Sequence, residues 1–221
     1  MIGRTARPAL VGLALVGLLL GTAASATADS PHDVDFTADG DHYIWSFGYP
    51  DTATYGQTIT VPAGVATIQT FSFVMDVPAG LVFRGAVQAW DGDKATGPVL
   101  YLSDPTSTSG DGYDLVTFGP DVAVTPGVYV LYGTISYDYA TNAVPGVEGV
   151  PGYWSSILAA PYDGGAMVWD NNRGDIDRLT TRTWDNRGGG YVDDMAFAVT
   201  FGLPAPADPA DPVTADPAFT G

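Results

Sequence analysis

Three tryptophans in this chain are each followed by aspartate and then by residues that favour turns. They stand as Trp90-Asp91-Gly92-Asp93, Trp169-Asp170-Asn171-Asn172 and Trp184-Asp185-Asn186-Arg187. The chemistry open to such a pattern is recognition of a polyhydroxylated ligand. An indole face attracts the C–H edges of a pyranose, and carboxylates and carboxamides beside it orient hydroxyls. Trp90, Trp169 and Trp184 are therefore the candidate ligand-binding residues. A plainer reading of the same pattern is a tryptophan that closes the core at a strand end, with aspartate opening the turn. The last two copies lie 15 residues apart. Propeller blades repeat at about 40–45 residues, so this is not a WD-repeat array.

The second constellation is the segment from Asp170 to Asp177, dense in oxygen ligands. Asp170, Asn172, Asp175 and Asp177 are the candidate metal ligands, and calcium, which takes six to eight oxygens, is the candidate cofactor. The loop departs from an EF-hand: its glycine, Gly174, is fifth instead of sixth, and Thr181 stands where a bidentate glutamate belongs. The alternative is a solvated acidic turn. Asp91 with Asp93 is a weaker candidate of the same type. Arg173-Gly174-Asp175 spells the integrin tripeptide, which is short enough to arise by chance. Signals for catalysis are poor. His32 and His42 have no nucleophile motif near them, and neither G-x-S-x-G nor H-E-x-x-H occurs. A glycosidase needs two carboxylates flanking the bond, and no spacing among the many aspartates singles out a pair. No catalytic residue is assigned.

The elements that must position these residues are strands. From Thr67 to Val77 apolar residues alternate with polar ones, with Phe71, Phe73, Met75 and Val77 on one face. The same period of two runs from Gly127 to Tyr139 and from Asp193 to Phe201. Each reads as a strand with one dry face. Leu81–Trp90 is a further strand, and shorter ones are expected at His42–Phe47, Gln57–Val61, Val99–Leu102, Leu115–Phe118, Tyr153–Leu158 and Ala166–Trp169. Shared parity predicts that Phe71, Phe73, Met75, Leu131, Ile135, Phe197 and Val199 are buried. Turn signals such as Pro78-Ala79-Gly80, Asp91-Gly92-Asp93 and Gly188-Gly189-Gly190 separate the runs. Many short strands punctuated by Gly and Pro predict an all-β fold: a two-sheet antiparallel β-sandwich, with a jelly roll as first choice and an immunoglobulin-like sandwich second.

The ends of the chain set its expected location. Arg4 and Arg7 precede an apolar, uncharged run from Ala9 to Gly21, and Ala24-Ser25-Ala26 fits a cleavage site. Residues 1–28 read as a secretory signal peptide, too short to span a bilayer, which needs about 20 apolar residues. The domain is expected over 29–203, and the Pro- and Asp-rich segment 204–221 as a disordered tail. No span is expected in the mature chain. The formal charge is −17, and loss of the leader makes it more negative by two. Such a surface repels nucleic acid and anionic membranes. All but one of the 25 acids are aspartate, a turn residue and a short oxygen ligand; Glu148 is the exception. Cysteine is absent, so burial and backbone pairing must hold the fold without disulfides.

The blocks Tyr55–Pro62, Phe71-Ser72-Phe73, Phe83-Arg84, Ala89–Tyr101, Trp169–Asn172 and Ala196-Phe197 together resemble a group of small secreted bacterial proteins that often end in a PEP-CTERM sorting tail. The likeness covers roughly residues 42–202, and Trp90–Tyr101 is its most specific part. It implies an exported β-sandwich with no catalytic residue to carry over. The sorting tail itself is missing, which favours release over anchoring. The functional expectation is a secreted, extracellular, non-catalytic binding or surface module. Carbohydrate is the favoured ligand, and an extracellular polysaccharide or cell-surface component the partner. The alternatives are a structural matrix protein without a small ligand and, after that, an extracellular hydrolase.

Overall fold

The computed structural model describes residues 30–38, 42–50, 52–142, 152–157, 162–186 and 194–204, with the backbone alone at 42, 43, 45, 46 and 152–157. The expected leader, and the expected tail beyond Pro204, lie outside the described residues. Within these residues the chain forms thirteen strands and three short helical turns. The strands are β1 (Val34–Asp35), β2 (His42–Phe47), β3 (Thr54–Val61), β4 (Thr67–Asp76), β5 (Arg84–Trp90), β6 (Ala95–Leu102) and β7 (Asp114–Phe118). They continue as β8 (Val122–Ala123), β9 (Gly127–Thr134), β10 (Gly152–Ile157), β11 (Met167–Asp170), β12 (Asp194–Met195) and β13 (Phe197–Gly202). The turns are a 3-10 turn at Ser136–Asp138, α1 (Tyr139–Asn142) and α2 (Arg178–Thr181). No helix among the described residues is long and apolar enough to cross a membrane.

The strands make two antiparallel sheets, so the expected all-β sandwich is the observed architecture. One sheet runs β1-β13-β4-β10-β12, with β2 added on β10 and β7 and β8 on β4. The other runs β11-β3-β9-β5-β6. Eight strands face five, broader than the eight in all of an idealised jelly roll.

Period-two alternation explains the core. Phe71, Phe73 and Met75 on β4 are fully enclosed, and so are Leu131 on β9, Ile135 beyond its end, and Phe197 and Val199 on β13. All seven residues expected inside are buried. The register is consistent, since Phe73 pairs with Phe197 and Phe71 with Val199. The two sheets come close where Phe118 of β7 lies over Gly85 of β5: a Cβ at Gly85 would sit 2.5 Å from the Phe118 ring. A polar clamp also ties them. The Gln57 amide on β3 donates to the Asp194 carboxylate at 2.7 Å and accepts from the Met195 N–H at 2.9 Å. Asp194 is fully buried, and its second oxygen accepts from the Tyr162 N–H.

One expected strand is shorter than its pattern. The run from Gly127 leaves the sheet after Thr134 and coils through Ser136–Asn142. There Asp138 accepts from Arg84 at 2.8 and 3.1 Å, and Asn142 exchanges hydrogen bonds with Val82, each 2.8 Å. These contacts with the segment around β5 hold the coil where alternation predicted more strand.

Candidate ligand-binding site

β11 is an edge strand, and the chain after it turns back on itself. Asp175 N–H donates to the Asn172 carbonyl at 2.9 Å, α2 follows, and the chain returns so that Trp169 and Asp185 exchange backbone hydrogen bonds of 2.9 Å in both directions. Trp184 N–H then reaches the Asp93 carbonyl, also at 2.9 Å. The three Trp-Asp motifs, far apart in sequence, are thus linked through the third, which lies over the outer face of the five-stranded sheet and touches each of the other two. The Trp90 and Trp184 rings are edge to face at 5.4 Å.

Beneath this loop lies a second, smaller apolar cluster on the outer face of the sheet. Ala86, Ala95, Val130, Tyr132, Val168, Leu179 and Trp184 form it. Leu179 of α2 and Trp184 cover the sheet there, and the Trp184 indole N–H donates to the Leu179 carbonyl at 2.8 Å. Trp184 is only 4% exposed. Of the three candidate platform residues it is the one that closes a core. Trp90 and Trp169 are partly buried, and Trp169 packs on the main core.

Two adjoining cavities flank these residues. One, of about 380 Å³, is lined by Trp90, Trp184, Asp93, Thr183, Asp185 and Asn186 among others. The second, of about 340 Å³, lies where Trp169 and Asp170 leave β11 and is walled by Asn171, Asp185 and the arginines at 173, 178 and 182. Asp185 borders both. Volumes of this order hold small ligands, about 300 Å³ being the lower end for such sites, and the polar lining suits one rich in hydroxyls.

Asp170 is the deepest polar group in the second cavity, 3% exposed. Arg178 donates to its Oδ1 at 3.4 Å. Its Oδ2 is buried without a hydrogen-bond partner, and so is Asn171 Oδ1. Burial pushes the Asp170 carboxyl above the usual aspartate range; Arg178 and then Arg182 pull it down, and Asp185 and Asp175 add to the rise. In the other loop, Asp91 is spent on its own turn. It accepts from the N–H groups of Asp93 and Lys94, each at 3.0 Å, and from Lys94 Nζ. Those bonds hold its carboxyl down at about 2.

The four candidate metal ligands are placed differently from one another. Asp170 faces arginine. Asn172 is buried, and its side-chain oxygen accepts from Ser136 at 2.7 Å and Thr54 at 3.1 Å while its amide donates to the Asp175 carbonyl at 3.0 Å. Asp175 and Asp177 are exposed. Among the described residues no three His, Cys, Asp or Glu side chains converge on a common centre. The bonds of Asn172 instead anchor the loop to β3 and to the 3-10 turn that follows β9. In the integrin-like tripeptide, Arg173 and Gly174 both have positive φ, 50° and 83°, and a Cβ on Gly174 would meet Tyr139 at 2.9 Å. That glycine is there for a tight turn packed on the ring.

The arginines are the site residues that sequence reasoning missed. Their signal is present: half of the chain's eight basic residues lie between Arg173 and Arg187. No family model, no curated protein and no solved structure matches this chain.

Proposed function

We propose that the protein is a secreted, non-catalytic carbohydrate-binding module that acts on an extracellular polysaccharide or cell-surface glycan. The observation that supports this reading is the convergence of the three Trp-Asp motifs around two adjoining polar cavities. Aromatic faces beside carboxylate, carboxamide and guanidinium groups are the means by which a rigid sheet can hold a sugar. The test is a panel of soluble and insoluble polysaccharides, with calcium and with chelator. Retention on at least one polymer is expected, and Trp90→Ala or Trp169→Ala should abolish it in protein that still folds, with a melting temperature lowered by the packing each ring loses. Failure of every polymer to bind would leave the structural-protein reading, which the burial of Trp184 favours. The second cavity also holds two carboxylates, Asp170 and Asp185, one with a raised pKa. That arrangement favours a hydrolase as the next reading, and release of reducing ends from the same panel would establish it.

A further inference from the structure

We infer that the cavity beside Asp170 takes an anionic sugar residue, which offers hydroxyls to Asp170 and Asn171 and a carboxylate or sulfate group to Arg173 and Arg182. The inference rests on the carbohydrate reading above and narrows it to a ligand class. Charge placement is the first ground. In a chain of −17, this cavity wall gathers three arginines against two aspartates. Elsewhere the described cations are held, Arg84 by Asp138 and Lys94 by Asp91. Among the described residues Arg173 and Arg182 take part in no ion pair, and both are exposed. Guanidinium forks match carboxylate and sulfate oxygens in paired hydrogen bonds.

The second ground is the pair of unsatisfied acceptors. Asp170 is nine-tenths buried and more, and its Oδ2 has no donor. Buried acceptors of this type are rarely left so. Oδ1 of the same carboxylate already faces Arg178, and the charge of Arg182 reaches it too. A neutral hydroxyl therefore complements Oδ2 better than a further cation. A bare anion would meet these two acceptors and be repelled. A ligand with both hydroxyls and an anionic group satisfies both halves of the cavity, and an acidic or sulfated sugar has both. The left-handed backbone at Arg173, φ 50°, is uncommon for a long side chain, and the Asn172 anchor and the Gly174–Tyr139 contact hold it there.

The test measures binding of the full secreted chain to four polymers: polygalacturonate, its carboxyl-reduced form, a sulfated galactan and its desulfated form. All arms contain chelator, so that calcium cannot bridge two acidic partners. Retention of polygalacturonate or of sulfated galactan, with the neutral counterpart about tenfold weaker or more, is the expected result, and which of the two binds assigns the anionic group. Arg173→Gln and Arg182→Gln should each weaken that binding about tenfold with unchanged melting curves. Equal binding of charged and neutral polymers, with both arginine variants unaffected, would overturn the inference and leave the carbohydrate reading standing. Binding of none of the four polymers or of the wider panel would overturn both.

Discussion

At the scale of single residues, the same side-chain type serves two ends within one motif. Trp184 fills the outer cluster against Tyr132, 5.6 Å away, whereas Trp169 lines the second cavity and packs on the main core. Trp184→Ala should cost about 3–5 kcal/mol, the usual range for removing an enclosed aromatic, and urea unfolding measures it; a near-neutral result would mean that the outer cluster adds nothing to stability. Asp170 makes a signed prediction. Its carboxyl is raised above the unfolded value by burial, so between the two pKa values the folded state binds more protons and stability falls as pH rises. Asp170→Asn should therefore match the parent in acid, below the ordinary aspartate range. It should become the more stable of the two as pH climbs past the raised pKa. Thermal melts of both proteins across that range test this. A variant less stable at neutral pH would show that the Arg178 pairing outweighs the cost of burial.

At the scale of elements, the cavity depends on one short loop between β11 and its return at Asp185. Helix α2 is a single turn of four residues, too short to hold itself. What fixes the loop is tertiary: Leu179 and Trp184 pinned on the sheet and Asn172 accepting from Thr54 and Ser136. Asn172→Ala takes the 2.7 Å acceptor from the buried Ser136 hydroxyl and leaves Thr54 its bond with Thr134, which should cost about 1–3 kcal/mol. It should also weaken ligand retention more than its effect on melting would suggest, because Arg173 is the next residue. Calorimetric melts and the binding panel together separate the two effects. Unaltered binding in a destabilised variant would mean that the loop keeps its shape without the anchor.

At the scale of the molecule, charge is the dominant feature. A chain of −17 repels a polyanion at long range, and salt screens that repulsion over about 10 Å at 0.1 M. Binding of an anionic polymer through a local arginine cluster should therefore hold or strengthen between low and moderate salt, whereas attraction by a generally basic surface would weaken. Calcium should raise the melting temperature no more than sodium chloride of equal ionic strength, since Asn172 is engaged by Thr54 and Ser136 and Asp170 Oδ1 faces the positive charge of Arg178. A larger calcium effect, abolished by Asp175→Asn with Asp177→Asn, would restore the acidic turn as a metal site.

Alternation by itself determined the sandwich. Phe71, Phe73, Met75, Phe197 and Val199 could be assigned to the interior because a period of two leaves one consistent face, and burying that face decides the register. It determined less where local pattern competes with side-chain anchors: the run past Thr134 alternates, yet Asp138 and Asn142 hold it in a coil. The Trp-Asp motifs were legible as candidates for ligand binding, but the contacts between them were not. Nothing in the spacing of Asp93, Trp169, Trp184 and Asp185 says that their backbones hydrogen-bond to one another. Only the packing of the loop on the outer face decided which tryptophan is core, which oxygens of the acidic turn are already engaged, and that arginines wall the cavity. Those outcomes depend on contacts between segments far apart in sequence, and the free energy of such contacts is set by burial and pairing in the assembled fold.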